Sequence, residues 1–68
     1  MALQNRIKEL RARHNLTQDE LAKRVDIRRE TIVHLENNRY NPSLKLASDI
    51  ARVFGVPIEE VLWYDEQK

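Results

Sequence analysis

Residue types that form the turns and cross-links of many small domains are scarce in this sequence. Its 68 residues include no Cys, one Gly and two Pro. The absence of Cys excludes a disulfide framework and thiolate metal ligands, and it suits a reducing compartment. No apolar run approaches the roughly 18 residues of a membrane span, and the N-terminus lacks the apolar core of a signal peptide. We therefore expect a cytoplasmic protein without a membrane-spanning segment.

Catalytic and metal-binding patterns are missing as well. The sequence has no Gly-rich phosphate loop, and no nucleophile stands beside a base. Its two His, His14 and His34, have no third His or carboxylate at the spacing of a metal site. We expect no catalytic residue, no cofactor and no metal ion. Nothing in so short a chain indicates a pocket for a small-molecule effector.

Charge is nearly balanced overall but unevenly distributed. The formal net charge is +1. Residues 1–41 carry nine Lys or Arg and six Asp or Glu, which gives +3, whereas residues 42–68 carry three and five, which gives −2. A basic front would let one face approach a polyanion. An ordinary solvated surface explains the same asymmetry equally well.

Helical periodicity is the dominant positive signal. Leu3, Ile7, Leu10 and His14 recur at i, i+4, i+7 and i+11, which is the spacing of one helix face. Asn, Ser, Gly and Pro mark the ends of this segment and of later apolar segments. These patterns predict a compact all-α domain of five helices, at about residues 4–14, 18–25, 28–37, 44–54 and 58–62.

The best-defined helix start is Thr17. Its hydroxyl can accept a hydrogen bond from the Glu20 backbone N–H, and the Glu20 carboxylate can accept one from the Thr17 N–H. Such a capping box fixes the beginning of the second helix. With a corner at Asp26 and Ile27, it predicts a helix-turn-helix unit over residues 17–37.

The third helix has an outer face suited to the major groove of DNA. Ile32 and Leu35 would face inward and leave Arg28 and Arg29 near the exposed N-terminus. The groove is about 12 Å wide and admits one α-helix, and an Arg can bond guanine O6 and N7 together. These residues point to base reading by the third helix.

Three further side chains belong to the same face. Val33 can meet a thymine methyl group, and His34 can bond a base or a phosphate, although a plain surface role fits His34 equally well. Glu30 can accept from cytosine N4 or can hold Arg28 or Arg29 in position. We slightly favour the second role for Glu30, because an unpaired carboxylate in a negatively charged groove is costly.

Four motifs then follow one another along the chain. LTQDELA opens the second helix, TI lies in the third, LEN ends it, and NPSL precedes the fourth. Together with LKLASDIARVFGVPIEEVL, they resemble the phage repressor and Cro-like (Xre-type) transcriptional regulators over about residues 5–62. The resemblance implies a lambda-repressor-like five-helix fold and a double-stranded DNA partner.

The resemblance also implies roles for individual residues. The base-reading positions of the family fall on Arg28, Arg29, Glu30, Val33 and His34. The phosphate-contacting positions fall on Thr17, Gln18, Asn37, Arg39 and Tyr40. Arg11 and Glu36 match positions that commonly form a buried ion pair between the first and third helices. That pair would position the reading helix without touching DNA.

Two residues depart from the family pattern. Asp26 stands where the corner usually has Gly, and we expect a positive φ there because Asp tolerates that conformation better than most residues. Arg28 stands where Ser or Thr usually caps the third helix. The cap hydrogen bond would be lost, and a cation would face the positive end of the helix dipole. We interpret Arg28 as functional, with simple tolerance as the alternative.

The aromatic pair Trp63 and Tyr64 has two interpretations. Both residues could close the core, but two adjacent aromatics fit poorly inside so small a domain, and aromatics are enriched at interfaces. We favour a dimer interface formed by Leu62, Trp63 and Tyr64, within a segment at about residues 57–65. Some small family members pair a C-terminal strand with the N-terminus, and Met1-Ala2-Leu3 could supply that partner.

As a whole, the sequence predicts one helix-turn-helix domain over residues 1–68 that regulates transcription, as a repressor. It would bind an inverted-repeat operator as a homodimer, with the third helix of each subunit in the major groove. Two other functions stay open. The chain could be the DNA-binding antitoxin partner of a toxin, or a protein-interaction module that has kept the fold and lost DNA binding.

Overall fold

The computed structural model describes residues 2–65. Two short strands enclose five helices, in the order β1 (Ala2–Asn5), α1 (Ile7–Arg13), α2 (Gln18–Arg24), α3 (Arg29–Glu36), α4 (Leu44–Phe54), α5 (Ile58–Val61) and β2 (Leu62–Asp65). The prediction of a five-helix fold is confirmed. No helix in this part of the chain is long and apolar enough to cross a membrane.

The sheet expected between the two ends of the chain is also present. β1 and β2 are antiparallel, and we call them the terminal sheet; their register pairs Leu3 with Tyr64 and Asn5 with Leu62. Met1, an expected member of this sheet, lies outside the described residues. The Arg6 backbone N–H donates to the Val61 carbonyl at 2.8 Å and continues the pairing toward α5. β1 is therefore held to the C-terminal part of the fold.

Two helix boundaries differ from the sequence prediction. α1 begins at Ile7 rather than near residue 4, because residues 2–5 pair with β2 as a strand. α5 begins at Ile58, directly after Pro57 as expected, but Leu62 opens β2 rather than ending the helix. A single apolar residue at the end of a periodic segment, such as Leu3, does not distinguish a helix from a strand.

Turns of left-handed backbone end or separate the helices. Asn15 follows α1 with φ 55°, Asn38 follows α3 with φ 59°, and Gly55 follows α4 with φ 67°. Asp26 adopts φ 59° at the corner between α2 and α3, which confirms the expectation for this position. Asn and Asp tolerate this conformation because their short polar side chains bond locally.

The hydrophobic core draws on all five helices. Its largest fully buried side chains are Ile7, Leu21, Ile32, Leu35, Ile50 and Val61. Burying a side chain of this size stabilises the fold by about 1.5–3 kcal/mol. Since Ile32 and Leu35 both belong to α3, that helix cannot turn about its axis without exposing core surface.

Candidate nucleic-acid interface

α2 and α3 meet at a tight corner. Ala22 of α2 is 1% exposed, and its carbonyl accepts from the Ile27 backbone N–H at 3.0 Å. The left-handed Asp26 lets the chain reverse before Ile27. Leu21 is fully buried beside Ala22. α2 therefore offers α3 a fixed apolar surface on which to pack.

The outer surface of α3 collects the residues that were predicted to read bases. We call Arg28, Arg29, Glu30, Val33 and His34 the reading face; Val33 is half-buried and the other four are exposed. Positions four apart are neighbours on a helix, so Arg29 lies beside Val33 and Glu30 beside His34. Arg29, Glu30, Val33 and His34 are therefore neighbours on the side of α3 away from its buried residues, and Arg28 stands just before them at the start of the helix.

Arg28 occupies the N-cap position of α3, as the sequence indicated. Its backbone is extended, with φ −80° and ψ 150°, and its side chain makes no cap hydrogen bond. α2 and α4 begin differently, because the hydroxyls of Thr17 and Ser43 accept from backbone N–H groups in their first turns. The start of α3 thus lacks a side-chain cap and carries a cation instead.

Three arginines near α3 have no charge partner in the part of the chain that the structure describes. Arg28, Arg29 and Arg39 form no salt bridge with any residue between 2 and 65. Glu30 forms none in the same range, so the pairing that we favoured for it is absent. Glu30 lies in the first turn of α3, where the helix dipole stabilises a negative charge without a cation. The three arginines remain available to an external anion.

A buried ion pair holds α1 against the end of α3. Arg11 Nε donates to Glu36 Oε2 at 2.6 Å, and Arg11 Nη2 donates to Oε1 at 3.1 Å. The two side chains are 14% and 7% exposed. Two parallel bonds between Arg and a carboxylate give this pairing both strength and direction. The ion pair implied by the family resemblance is therefore formed.

Gln18 has an internal contact that the sequence did not predict. Its Nε2 donates to Glu36 Oε1 at 3.0 Å, so α2 also contacts the ion pair. Arg11 Nη1 completes the cluster by donating to the Leu16 carbonyl at 3.0 Å. An amide nitrogen carries two N–H groups, so Gln18 keeps one for an external acceptor. A contact between Gln18 and Glu36 depends on how the helices pack, and the sequence motif gives no information on that packing.

Thr17 is engaged in the capping box that the sequence predicted. Its backbone N–H donates to Glu20 Oε1 at 2.8 Å, and its hydroxyl accepts from the Glu20 N–H at 3.0 Å. The bond from the Thr17 backbone, and next the contact with its side chain, hold the pKa of the Glu20 carboxyl below its ordinary value. The capping box sets the start of α2.

Three residues predicted to contact phosphate lie together after α3. Asn37, Arg39 and Tyr40 are exposed and belong to residues 37–41, which we call the exit loop. The backbone N–H groups of Asn37 and Arg39 already donate to carbonyls of α3, at 3.1 and 2.8 Å. Within residues 2–65 the side chains of these three residues make no hydrogen bond or salt bridge, so they, rather than those two N–H groups, can meet a ligand.

Asn5 is the residue near α3 that sequence reasoning missed. Its Nδ2 donates to the Leu35 carbonyl at 3.1 Å, to the Glu36 carbonyl at 3.3 Å and to Asn38 Oδ1 at 2.7 Å. Its Oδ1 accepts from the Ile7 N–H at 3.1 Å. These partners at the end of α3 are remote along the chain, and no local pattern marks them.

The C-terminal aromatics lie on the terminal sheet. Trp63 is half-buried, with the Arg6 guanidinium 5.0 Å from its ring centre, a distance typical of a cation–π contact. Tyr64 is 52% exposed, and its hydroxyl donates to Asn41 Oδ1 at 3.2 Å. Leu62 is half-buried against the core. Trp63 and Tyr64 therefore both leave aromatic surface outside the core.

Comparisons with known proteins agree with this geometry. The helix-turn-helix family matches residues 7–61. The chain is 61% identical over 66 residues to an uncharacterized helix-turn-helix-type transcriptional regulator of Archaeoglobus fulgidus, covering 97% of this chain and 93% of the relative. It is 35% identical over 72 residues to the immunity repressor protein of Bacillus phage phi105, covering 98% of this chain and 50% of that protein.

The fold also has a counterpart among solved structures. A Bacteroides fragilis protein, provisionally described as DNA-binding, superposes with a TM-score of 0.79 at 27% identity. The match covers 88% of this chain and 97% of that one. The chain therefore belongs to the helix-turn-helix family of Xre-type transcriptional regulators, which bind DNA and are not enzymes.

Proposed function

We propose that residues 1–68 form one helix-turn-helix domain of a cytoplasmic transcriptional repressor, which binds an inverted-repeat operator as a homodimer. The main support for this proposal is the reading face, whose Arg28 and Arg29 have no salt-bridge partner among residues 2–65. The face stands on a helix that is fixed by burial of its other side and by the Arg11–Glu36 ion pair. A rigidly held surface whose cations have no partner among the described residues is suited to the major groove of DNA.

Base reading is assigned to the reading face. Arg29 bonds guanine O6 and N7, which discriminates against a wrong base by about 1–3 kcal/mol. Val33 contacts a thymine methyl, and Glu30, which has no ion pair within the described residues, accepts from cytosine N4. His34 bonds a base or a phosphate one turn further along. Arg28, at the start of α3, bonds a base or the phosphate beside it.

Phosphate contacts are assigned to both ends of the α2–α3 pair. Gln18 uses its second amide N–H, and Thr17 lies next to it at the start of α2. Asn37, Arg39 and Tyr40 contact the backbone from the exit loop. Such contacts fix the position of the protein on the duplex but carry little sequence information.

Dimerisation is assigned to Leu62, Trp63 and Tyr64. The exposed Tyr64 and the half-buried Trp63 support this role, since aromatic residues are enriched in interfaces. Two-fold symmetry places the two α3 helices in successive major grooves about 34 Å apart. The likeness to a phage immunity repressor supports repression as the regulatory outcome.

The test is the salt dependence of binding to a double-stranded DNA of mixed sequence, followed by fluorescence anisotropy. We expect steep weakening with salt, because neutralised phosphates release counterions. Arg39→Ala should lower the slope of the log–log plot by roughly one and weaken binding to every sequence. Arg52→Ala is the matched control, since Arg52 is also exposed and has no salt bridge within residues 2–65.

The control variant should retain the slope of the unaltered protein. An unchanged slope in Arg39→Ala would remove Arg39 from the phosphate contacts. Failure of the unaltered protein to bind any duplex at low salt would reject DNA recognition and favour a protein-interaction module.

A further inference from the structure

We propose that Asn5 is a positioning residue for the DNA-binding surface, because its single amide group caps both the start of α1 and the end of α3. The functional part of this inference rests on the proposed DNA binding. The structural part can be measured without DNA.

The end of α3 needs donors from outside the helix. The last carbonyls of any α-helix have no intrahelical partner. Here the His34 carbonyl accepts from the Arg39 N–H at 2.8 Å, and the Leu35 carbonyl accepts from the Asn38 N–H at 3.0 Å. Asn5 Nδ2 reaches the Glu36 carbonyl at 3.3 Å and shares the Leu35 carbonyl. Asn5 therefore completes a cap that the local chain leaves unfinished.

The shortest bond of Asn5 lies where the chain leaves α3. Nδ2 is 2.7 Å from Asn38 Oδ1, and Asn38 is the left-handed residue that turns the chain into the exit loop. Arg39 and Tyr40 follow directly. A restraint on Asn38 is thus a restraint on the direction in which both side chains leave the helix.

The other side of Asn5 is firmly anchored. Its backbone pairs with Leu62 across the terminal sheet, and its Oδ1 accepts from the Ile7 N–H at 3.1 Å. The same sheet holds the far end of the exit loop, because the Tyr64 hydroxyl donates to Asn41 Oδ1 at 3.2 Å. The terminal sheet therefore holds the exit loop near both of its ends, through Asn5 at Asn38 and through Tyr64 at Asn41.

Asn5→Ser should keep the cap at the start of α1 and weaken the cap at the end of α3. A Ser hydroxyl can still accept from the Ile7 N–H, but it is shorter than the amide and has only one donor. Gln4→Ser is the matched control, because it shortens an amide side chain at the neighbouring strand position. The Gln4 side chain makes no hydrogen bond to another described residue. Asn5→Asp is a second test variant, since it keeps the acceptor for Ile7 and brings a carboxylate against three acceptors.

The first measurement is amide hydrogen exchange in the free protein by NMR. In Asn5→Ser we expect the Asn38 and Arg39 amides to exchange roughly fivefold faster than in the unaltered protein, after normalisation to Ile50, which reports global unfolding. Asn5→Asp should accelerate them further, and Gln4→Ser should not. Equal acceleration at Arg39 and Ile50, or none at Arg39, would overturn the positioning role.

The second measurement is affinity for a duplex that the unaltered protein binds. Asn5→Ser should bind roughly fivefold more weakly, and Gln4→Ser should bind as the unaltered protein does. Faster local exchange with unchanged affinity would overturn the role in DNA binding. If the unaltered protein binds no duplex, the proposed function fails, while the exchange data still decide whether Asn5 caps α3.

Discussion

Arg11 and Glu36 form a bidentate ion pair whose shorter bond, from Nε to Oε2, measures 2.6 Å. The pair joins α1 to the last residue of α3, and Gln18 of α2 donates to the same carboxylate. Three helices thus converge on one buried group at the C-terminal end of α3. This arrangement explains how a domain this small keeps its reading helix in a fixed orientation.

Loss of one member of this pair should destabilise the fold. Arg11→Met leaves the Glu36 carboxylate buried without its cation, which should lower the free energy of unfolding by about 3–5 kcal/mol. Denaturation followed by circular dichroism measures this loss. Domains of this size have total stabilities of only about 3–10 kcal/mol, so the effect should be plain.

Two controls make this prediction specific. Arg13→Met breaks the Arg13–Glu9 pair, which has the same 2.6 Å distance on the same helix but is 65% and 54% exposed. That change should cost less than about 1 kcal/mol. The double change Arg11→Met with Glu36→Met should recover part of the lost stability, because no charge stays buried. Equal effects of Arg11→Met and Arg13→Met would contradict the role of burial.

The capping box at Thr17 should make stability depend on acid pH. The pKa of Glu20 is lower in the folded state than in the unfolded chain, so its stabilising contribution is full above the unfolded-state pKa. It declines as the pH falls through the lower folded-state pKa. In Glu20→Gln, the thermal midpoint of unfolding should therefore fall less steeply as the pH is lowered. The same dependence of the midpoint on acid pH in both proteins would show that this bond does not contribute.

Arg29 should determine sequence preference at one or two base pairs. In Arg29→Ala we expect sequences selected from random DNA to lose their preference at those positions and to keep it elsewhere, because one bidentate guanine contact is removed. Arg52→Ala, on α4, should leave the selected sequence unchanged. An Arg29→Ala protein that selects the same sequence as the unaltered one would exclude Arg29 from base reading.

Trp63 should contribute to self-association. Trp63→Ala should raise the dimer dissociation constant by roughly tenfold or more in sedimentation equilibrium, as expected for a buried aromatic anchor. Leu44→Ala is a suitable control, since Leu44 is 77% exposed at the start of α4 and lies outside the segment assigned to dimerisation. A Trp63→Ala protein of unchanged dimer affinity would assign Trp63 to intramolecular packing with Arg6.

Much of the fold follows from local signals in the sequence. The capping box at Thr17, the cap at Ser43 and the left-handed Gly55 fix helix ends through contacts within a few residues. Such contacts can be predicted because they depend on the local chain. The predicted start of α1 was wrong because it depends on a distant contact: only pairing with β2 makes residues 2–5 a strand.

The candidate site likewise contains some features that local spacing predicts and others that depend on packing. Helical spacing places Arg29 and Val33 on one face whatever the rest of the fold does. The bonds from Gln18 to Glu36 and from Asn5 to Asn38 join distant parts of the chain, and their existence depends on how the helices pack. That Glu30 forms no ion pair within residues 2–65 was likewise missed, because spacing alone does not fix where two long side chains point.

The most direct test of DNA recognition by α3 is selection of bound duplexes from a random pool by the unaltered protein. The expected result is an inverted repeat whose half-site centres lie about 10 base pairs apart, one turn of the double helix. Such a result would report sequence preference, symmetry and spacing together. Recovery of a pool with no enriched sequence, at a salt concentration where the protein binds, would contradict sequence-specific reading by this face.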